Sequence, residues 1–309
     1  MNILITGGAG FIGSSIADAY RELGHELVIV DNLSTGVLDN VPKGAAFYQM
    51  DIRDEGLADV VREHNIDIIN HHAAQIDVRK SVEDPRYDLA VNVLGSINVI
   101  EAALAHGVKR LIFASSGGAG YGEQVYFPAD EQHPIAPCSP YGITKVTVER
   151  YLHYYHQVRG LTYTTFRYTN VYGPRQNPHG EAGVVAIFCD KLLRGQQPVI
   201  NGDGGQTRDY VYIDDVVRAN VRGLEMEGSD TLNVCTARET SVNDIFRTLN
   251  DALGAPAKEV HGPAKDGEQQ RSVCSFEKIR SLHGWEPRMS MDEGLRRTMQ
   301  WFRERFEQE

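Results

Sequence analysis

A glycine-rich loop near the N-terminus places the strongest constraint on how this chain folds. The apolar run at residues 2–5 has the composition of a buried parallel strand. Gly7, Gly10 and Gly13 follow it in the spacing G-x-x-G-x-x-G. Apolar residues then recur at helical intervals over residues 14–23. A strand, a glycine turn and a helix in this order predict an α/β fold built on a doubly wound parallel sheet (a Rossmann fold).

The same loop is suited to bind a pyrophosphate, because glycines let the backbone approach phosphate oxygens and a helix N-terminus attracts an anion. A second predicted strand, residues 26–30, ends at Asp31, about 20 residues beyond the loop, where a carboxylate would accept hydrogen bonds from a ribose. Such a carboxylate would repel a 2′-phosphate, so the pattern predicts NAD rather than NADP. Asp51, which follows a strand at 46–50, is a candidate contact for the adenine. The cofactor contacts predicted in this part of the chain are Gly7, Gly10, Phe11, Ile12, Gly13, Asp31, Asn32, Asp51 and Ile52.

Tyr141 and Lys145 form the second informative pattern. Pro140 interrupts the chain, and a helical pattern begins at Tyr141. Since residues four apart share a helix face, the phenol and the ammonium should point in the same direction. A free tyrosine has a pKa of about 10, and a neighbouring ammonium would lower that pKa towards the range of a general base. A surface pair on an amphipathic helix is the alternative, but beside a dinucleotide loop the catalytic interpretation is favoured.

Further motifs extend the pattern along the chain. They lie at residues 6–13, 31–32, 72–74, 141–145, 167–175 and 208–215. Together they resemble the extended short-chain dehydrogenase/reductases, and within them the UDP-hexose 4-epimerases of the UDP-glucose 4-epimerase type. The resemblance covers essentially the whole chain. Decarboxylases and dehydratases share most of the set, so it is more specific for the class than for one reaction.

The resemblance implies C4 epimerisation of UDP-glucose/UDP-galactose and of UDP-GlcNAc/UDP-GalNAc through a transient 4-keto sugar. Tyr141 would remove the proton of the sugar 4-hydroxyl, hydride would pass to tightly held NAD, and the hydride would return to the opposite face of the sugar. Lys145 would also contact the nicotinamide ribose. Ala73, Asn92 and Tyr168 are the further cofactor contacts that the resemblance implies.

The family also directs a serine or threonine hydroxyl at the 4-oxygen, and its position here is ambiguous. Counting back from the Tyr-Gly pair at 121–122 places it at Gly117. Counting back from Tyr141 favours Ser116, because the intervening loop is one residue shorter. Ser116 is therefore the predicted hydroxyl donor. A strand-end residue that caps the backbone is the alternative.

On the nucleotide-sugar side, the resemblance matches Asn170 to a residue that contacts the UDP part. Arg208 matches a residue that pairs with the diphosphate, for which an Arg fork is suited. Near the C-terminus, Arg271 is the expected second cation, while Lys265 is expected to be an ordinary solvated one. Ser272 matches the residue that sets the pocket size. Because Ser272 is small, N-acetylhexosamines are expected to be accepted as well as plain hexoses.

Composition argues against several other functions. The 309 residues carry 31 basic and 42 acidic side chains, a formal net charge of −11, which disfavours binding to nucleic acid or an anionic membrane. No apolar run approaches the roughly 20 residues of a membrane helix, and no signal peptide is evident. The four cysteines form no C-x-x-C pair, so reduced thiols in a cytoplasmic protein are expected rather than zinc or disulfides. His71 and His72 would face opposite ways on a strand, each in local hydrogen bonds, and no metal site is predicted.

The patterns also divide the chain. Alternating strands and helices predict an NAD-binding Rossmann domain over residues 1–170, with a return segment near 208–235 in which residues 211–213 rejoin the larger domain. Residues 171–309 are predicted to form a smaller, partly interleaved substrate domain. Helices around 96–105 and 149–156 carry apolar faces. Family members use the equivalent pair to form a homodimer, and we expect the same here.

Other functions remain open at this point. Another extended-class nucleotide-sugar enzyme, such as a UDP-glucuronate 4-epimerase or a decarboxylase, would share most of the motifs. A 4,6-dehydratase is less favoured, because Ser116 and Gly117 stand where an Asp-Glu pair is usual. The alternative of another class is a non-catalytic NAD-binding regulatory protein. Intact Tyr141 and Lys145 argue against it.

Overall fold

The computed structural model describes residues 1–179, 183–254, 257–264 and 269–308; Lys265 lies outside these ranges. The strands are β1 (Asn2–Thr6), β2 (Glu26–Asp31), β3 (Ala46–Gln49), β4 (Ile68–His71), β5 (Arg110–Ser116), β6 (Tyr163–Tyr168), β7 (Asn170–Tyr172), β8 (Ile200–Asn201), β9 (Thr207–Arg208), β10 (Tyr210–Tyr212), β11 (Asp230–Val234), β12 (Thr240–Ser241), β13 (His261–Gly262) and β14 (Arg271–Ser272). The helices are α1 (Phe11–Glu22), α2 (Leu57–Glu63), α3 (Val78–Glu83), α4 (Pro85–Leu89), α5 (Gly95–Ala105), α6 (Gly117–Tyr121), α7 (Pro140–Arg159), α8 (Val184–Leu193), α9 (Ile213–Gly223), α10 (Val242–Leu253), α11 (Glu277–His283) and α12 (Met291–Phe306). A 3₁₀ turn covers Leu38–Asn40, and a π-helical turn at Ala90–Leu94 joins α4 to α5.

Seven parallel strands form the central sheet, in the order β11-β6-β5-β4-β1-β2-β3. The chain winds outwards from β1 in both directions, with β2 on one side and β4 on the other. The carboxyl end of β1 is therefore the point where the strand order reverses, which is where ligands bind in open α/β sheets. The predicted doubly wound fold is confirmed.

Side-chain alternation on the strands creates a core on each face of the sheet. Ile3 and Ile5 pack in the core that also contains Ile16 of α1. Leu4, which points the other way, packs in the core that contains Leu57 of α2 and Leu152 of α7. Helices thus cover both faces, as buried parallel strands require.

Helix α1 begins at Phe11, earlier than the predicted start at residue 14. The reason is that the third glycine of the loop lies inside the first helical turn rather than before it. Strand bounds differ from their predicted values by at most a few positions, which is the usual uncertainty of element ends.

The predicted return segment at 208–235 contains strands β10 and β11. Residues 211–213 fall mainly in β10, which pairs in parallel with β7 in a separate two-stranded sheet. The strand of this segment that joins the main sheet is β11, which pairs with β6 from Asp230 opposite Thr164 to Val234 opposite Tyr168. Both strands are short, so local composition does not indicate which sheet each one joins. The division into two domains stays a prediction.

Among the residues that the structure describes, one helix is long and apolar enough to span a membrane, which the expectation from apolar runs missed. This helix is Pro85–Ala105, and 56% of its most apolar window is buried inside the protein. Val99 and Ile100 in it are fully enclosed within the core on one face of the sheet. Such burial is typical of a core helix in a folded domain.

A buried ion pair links α7 to β6 behind the carboxyl ends of the strands. Arg167 donates from Nε and Nη2 to the two Glu149 carboxylate oxygens at 3.0 and 2.6 Å, and both side chains are only 7% exposed. Ser115 Oγ donates to the same carboxylate at 2.6 Å, and Arg167 Nη1 donates to Tyr121 at 2.9 Å. The pair is therefore fully hydrogen bonded, the condition under which a buried charge is tolerated.

The variant Arg167→Met should destabilise the protein strongly, because it leaves the Glu149 carboxylate buried without its cation. We expect a loss of about 3–5 kcal/mol in unfolding free energy, measured by urea denaturation. Arg297→Met is the control, since Arg297 pairs with Glu293 at 2.7 Å while both side chains are about half exposed. That control should unfold like the parent protein, as exposed pairs contribute little. If the two variants lost the same unfolding free energy, the assignment of Arg167 and Glu149 as a stabilising buried ion pair would be contradicted.

Candidate active site

A cavity of about 760 Å³ opens at the carboxyl ends of the central strands. It is lined from the glycine loop, from the ends of β2, β4 and β5, and from the first turns of α7. The residues predicted from sequence that line it are Gly7, Gly10, Phe11, Ile12, Gly13, Asp31, Asn32, Asp51, Ile52, Ala73, Ser116, Tyr141, Lys145 and Tyr168. Two patterns more than 120 residues apart in sequence (Gly13 to Tyr141) therefore meet in one cavity.

The glycine loop has the shape that a dinucleotide pyrophosphate requires. Gly7 has a φ of +70°, and a Cβ there would lie 2.7 Å from the backbone nitrogen of Ala73. A Cβ on Gly13 would lie 2.2 Å from the carbonyl oxygen of Gly7. Neither position can carry a side chain. Helix α1 starts at Phe11, so its first N–H groups, which have no partners inside the helix, lie at the cavity wall.

Hydrogen bonds within the protein hold the acidic end of the cavity. One oxygen of the buried Asp31 carboxylate accepts the backbone N–H of Ala9 at 3.0 Å. Asn32 Nδ2 donates to Asp51 at 3.1 Å. The hydrogen bond from Arg53 to Asp51, at 2.8 Å, is the main cause that lowers the pKa of Asp51 to about 2. The carboxylates that would receive an adenosine are thus held in place by hydrogen bonds, and that of Asp51 is ionised.

Asn92, an expected cofactor contact, does not line the cavity. It is 2% exposed, and its Nδ2 donates to the Gln75 carbonyl at 2.9 Å and to Asp88 at 3.0 Å. Its Oδ1 accepts the backbone N–H of Gln75 at 2.8 Å. The Asn92 side chain is turned inwards because the backbone N–H and carbonyl of Gln75 pair with both ends of its amide. Gln75 itself is on the cavity wall, so Asn92 supports the wall from behind.

Tyr141 and Lys145 both reach the cavity from the first turns of α7, as the helical spacing predicted. Ser139 caps this helix by accepting the backbone N–H of Gly142 at 3.1 Å, and Pro140 occupies its first turn. The ammonium of Lys145 lies 5.8 Å from the centre of the Tyr141 ring and donates to the Ala114 carbonyl at 2.8 Å. The pair is therefore anchored to the end of β5.

The expected lowering of the Tyr141 pKa is not found in this structure. Desolvation inside the cavity raises the pKa of Tyr141 well above its ordinary value, and the charge of Asp88 raises it further. Desolvation also lowers the pKa of Lys145 to about 8, against the opposite effect of Asp88 and Glu149. Burial therefore has a larger effect on the pKa of Tyr141 than the Lys145 ammonium, which donates its hydrogen bond to the Ala114 carbonyl. A phenolate base here needs positive charge from a ligand.

Ser116 lines the cavity and Gly117 does not. A Cβ on Gly117 would point to Cys274, with its Sγ at 3.3 Å, away from the cavity wall. Ser116 Oγ accepts the backbone N–H of Ala119 at 3.1 Å and thereby caps α6. A hydroxyl that accepts one hydrogen bond can still donate its own O–H to a ligand. Both interpretations of Ser116, cap and hydroxyl donor, are compatible with this geometry.

The two adjacent histidines have different surroundings, and each makes the local hydrogen bonds that the sequence favoured. His71 is buried and hydrogen bonded to Thr6 at 2.6 Å and to Ser96 at 2.9 Å. His72 lies on the cavity wall, stacked on Tyr168 and hydrogen bonded to its hydroxyl at 3.2 Å. Desolvation, with the Lys145 charge, lowers the pKa of His72 to about 3, so the ring is neutral. Strand alternation predicts that one of the two histidines faces the site, but it does not indicate whether this is His71 or His72.

The residues predicted on the nucleotide-sugar side do not belong to the described part of the cavity wall. Asn170 donates from Nδ2 to the carbonyl of Asp209 at 3.1 Å. Arg208 and Ser272 are direct partners in the β9–β14 pairing. Ser272 is 2% exposed. The exposed Arg271 is held by Glu239, with contacts of 2.8 and 2.7 Å.

Asp209 joins the segments that carry Asn170 and Ser272 through its hydrogen bonds. It is fully buried, and its carboxylate accepts the backbone N–H groups of Thr236 at 2.8 Å and Ala237 at 3.0 Å. Its own N–H donates to the Ser272 carbonyl at 2.9 Å. Burial raises the pKa of Asp209 to about 6 despite these bonds. Sequence motifs identified the segment, but its inward-facing acid was not singled out.

The variant Gly13→Ala should weaken NAD binding at least about tenfold, because the added methyl would collide with the Gly7 carbonyl and distort the phosphate loop. Isothermal titration of protein freed of nucleotide measures this affinity. Gly118→Ala is the control, since a Cβ there meets nothing within 4 Å. Unchanged affinity in Gly13→Ala, with normal folding, would contradict this assignment of the loop.

Comparison with known proteins agrees with this geometry. Residues 3–235 match the model of the NAD dependent epimerase/dehydratase family. A UDP-glucose 4-epimerase of Mycolicibacterium smegmatis is 41% identical over 309 residues, which cover 98% of this chain and 99% of the relative. The crystal structure of a Thermotoga maritima UDP-glucose 4-epimerase with UDP-glucose superposes with a TM-score of 0.97 at 44% identity, covering 99% of this chain and 100% of the other. A UDP-N-acetylglucosamine 4-epimerase from Methanobrevibacter ruminantium, in complex with UDP-N-acetylmuramic acid, gives a TM-score of 0.93 at 32% identity and covers 98% of each chain. The chain belongs to the NAD-dependent epimerase/dehydratase family.

Proposed function

We propose that this protein is a UDP-hexose 4-epimerase that interconverts UDP-glucose and UDP-galactose, and UDP-GlcNAc and UDP-GalNAc. The observation that carries the proposal is the meeting of Tyr141, Lys145 and the glycine loop in one cavity. A general base beside a dinucleotide site is the arrangement that alcohol oxidation requires. The named 4-epimerases that align with nearly the whole chain support this choice of reaction.

Tyr141 is the proposed base for the sugar 4-hydroxyl. Its phenol must lose a proton to act, and burial opposes that loss. Bound NAD would supply hydride exchange with C4 and a positive ring charge in the cavity. Lys145, fixed to the end of β5 by the Ala114 carbonyl, adds a second positive charge on the same side. The neutral His72 ring completes this wall without adding charge that would compete with the base.

Ser116 is the proposed hydrogen-bond donor to the 4-oxygen. Its Cα lies at the end of β5, and its hydroxyl is fixed by capping α6. Tyr141 and Ser116 would then contact one substrate oxygen, the first as base and the second as orienting donor. The same phenol would take up the proton of the 4-hydroxyl and return it to the oxygen when hydride comes back to C4. The configuration at C4 would invert because the 4-keto sugar turns before hydride returns, so that its opposite face is presented.

Asn170, Arg208, Arg271 and Ser272 are the proposed contacts for the UDP moiety and the sugar substituent. The pairing of β9 with β14 supports the grouping, because it places Arg208 beside Ser272. Arg271 would have to exchange its Glu239 partner for a phosphate. The small side chain of Ser272 leaves space for a 2-acetamido group and supports the inclusion of N-acetylhexosamines.

We also infer that the protein works as a homodimer in the cytoplasm. Helices α5 and α7 lie side by side, joined by the hydrogen bond from Tyr155 to Glu101 at 3.3 Å. Leu94, Tyr154 and Val158, at or near the ends of this pair, are more than half exposed. A twofold axis would bury such a face against its own copy. The cytoplasmic location is suited to the exposed free thiol of Cys138.

The variant Tyr141→Phe should lower kcat for C4 epimerisation about 100- to 10,000-fold with little change in KM, since it removes only the proton-accepting oxygen. Product formation is followed by NMR of UDP-glucose and UDP-galactose. Tyr151→Phe is the matched control, because Tyr151 is on the same helix and 38% exposed. If both variants kept the parent rate, Tyr141 would not be the base.

The variant Tyr154→Glu should convert the proposed dimer to a monomer, because it places a charge within an apolar contact that would occur in two symmetric copies. Sedimentation velocity measures the change. Leu282→Glu is the control, as Leu282 is 57% exposed but belongs to α11. A parent protein that sediments as a monomer, or a Tyr154→Glu variant that remains dimeric, would exclude this interface.

A further inference from the structure

A fully buried carboxylate lies behind the wall of the cavity and has no part in the scheme above. Asp88 is 0% exposed. It accepts hydrogen bonds from Gln75 Nε2 at 2.9 Å, from Asn92 Nδ2 at 3.0 Å and from Thr144 Oγ1 at 2.9 Å. Each donor is a neutral side chain, so these bonds satisfy the carboxylate oxygens without neutralising their charge, and the cation on which that charge acts is Lys145. A buried charge is costly unless it is hydrogen bonded and paired in this way.

These hydrogen bonds join separate parts of the site. Gln75 belongs to the loop after β4 that lines the cavity, and Asn92 belongs to the π-helical turn. Thr144 is on the helix that carries the proposed base, between Tyr141 and Lys145, and its single O–H is shared between Asp88 and the Tyr141 carbonyl, each 2.9 Å from Oγ1. Asp88 therefore connects the first turn of α7, which carries the proposed base, to the opposite wall of the cofactor cavity.

We propose that Asp88 is a positioning residue for the Tyr141–Lys145 pair, holding the first turn of α7 against the cofactor wall and supplying the pair with a fixed negative charge. The inference rests on the proposed epimerase function only for the identity of the reaction. The hydrogen bonds of Asp88 do not depend on which sugar is the substrate. A π-helical turn between α4 and α5 supports it, because such turns often mark functional positions in helices.

The fixed charge should act on the two members of the pair in the same direction. Negative charge from Asp88 raises the pKa of both Tyr141 and Lys145. The charge of Glu149, on the same helix, also acts on Lys145. Besides desolvation, which is the main cause, the Lys145 charge lowers the pKa values of His71, at the end of β4, and of His72, directly after it. Among these groups the two carboxylates favour the ammonium form, and desolvation opposes it. Asp88 thus helps Lys145 to stay protonated near neutral pH, and without it both pKa values fall.

The decisive variant is Asp88→Asn, which keeps the shape of the side chain and removes its charge. Both limbs of the pH profile of kcat/KM should move to lower pH by about one unit, because loss of one nearby charge lowers the pKa of base and ammonium together. A second readout does not need turnover. The phenolate absorbance of the NAD-bound protein, taken as the difference from Tyr141→Phe, should titrate at a correspondingly lower pH.

Asp215→Asn is the matched control. Asp215 is 1% exposed on α9 and accepts backbone N–H groups of Arg288 and Met289 at 3.1 Å, away from the cavity. This variant should lose thermal stability without moving either titration. If Asp88→Asn behaved in the same way, with less stability and unmoved profiles, the role in fixing charge would be overturned. A parent protein without epimerase activity would defeat the proposed function but leave the phenolate titration to decide on Asp88.

A further variant distinguishes the positioning role of Asp88 from the effect of its charge. It also provides a test of the proposal if Asp88→Asn does not fold. Thr144→Val removes the donor on the catalytic helix and keeps the Asp88 charge. We expect kcat to fall about tenfold with KM and the pH profile unchanged, since misplacement of a catalytic group affects the chemical step. An unchanged kcat in a folded Thr144→Val would contradict the positioning role.

Discussion

The close approach of two loops at the centre of the parallel sheet determines where everything else in this protein lies. Gly7 follows β1 and Ala73 follows β4, and a side chain on Gly7 would collide with the backbone at residues 72 and 73. Thr6 Oγ1 fixes the crossing by accepting the Ala73 N–H at 3.2 Å and by its hydrogen bond to His71. Because the strand order reverses here, the phosphate loop and the histidine wall open into the same cavity.

Burial is the second constraint, and it has opposite consequences for the residues of the site. Desolvation makes His72 neutral and favours loss of the Lys145 proton, yet it also holds the proton on Tyr141. The positive charge of Lys145 does not offset the desolvation of Tyr141. A cationic cofactor ring would shift the balance in the direction of the phenolate. The strength of the proposed base would then depend on cofactor binding, through electrostatics in a region of low dielectric constant.

Features encoded by local spacing could be predicted, and features decided by distant contacts could not. The glycine loop, Asp31 at the end of β2 and the Tyr141–Lys145 pair depend on strand order or on one helical turn, and all reach the cavity. Asn92 faces away from it because the loop at Gln75 claims its amide. The β10 segment joined β7 instead of the main sheet, and sequence periodicity contains no information on sheet membership.

Two buried acids were not singled out from the sequence. Asp88 lies four residues before Asn92 on the same helix, and that spacing was the available signal that the two side chains meet. Asp209 lies within a recognised motif, but its burial and its bonds to Thr236 and Ala237 come from a segment more than twenty positions away. Both acids show that the walls behind a cofactor cavity can hold charges as firmly placed as those inside it.

The measurement that tests the central claim most directly is NMR of the purified protein incubated separately with UDP-glucose, UDP-GlcNAc and UDP-glucuronate, without added reductant or oxidant. The account predicts interconversion at C4 for the first two, with no net change in the redox state of NAD, and the relative rates would show how Ser272 shapes the pocket. Inversion of UDP-glucuronate alone would indicate a different member of the family. Absence of any C4 product from all three sugars, in protein that retains NAD, would contradict the epimerase function.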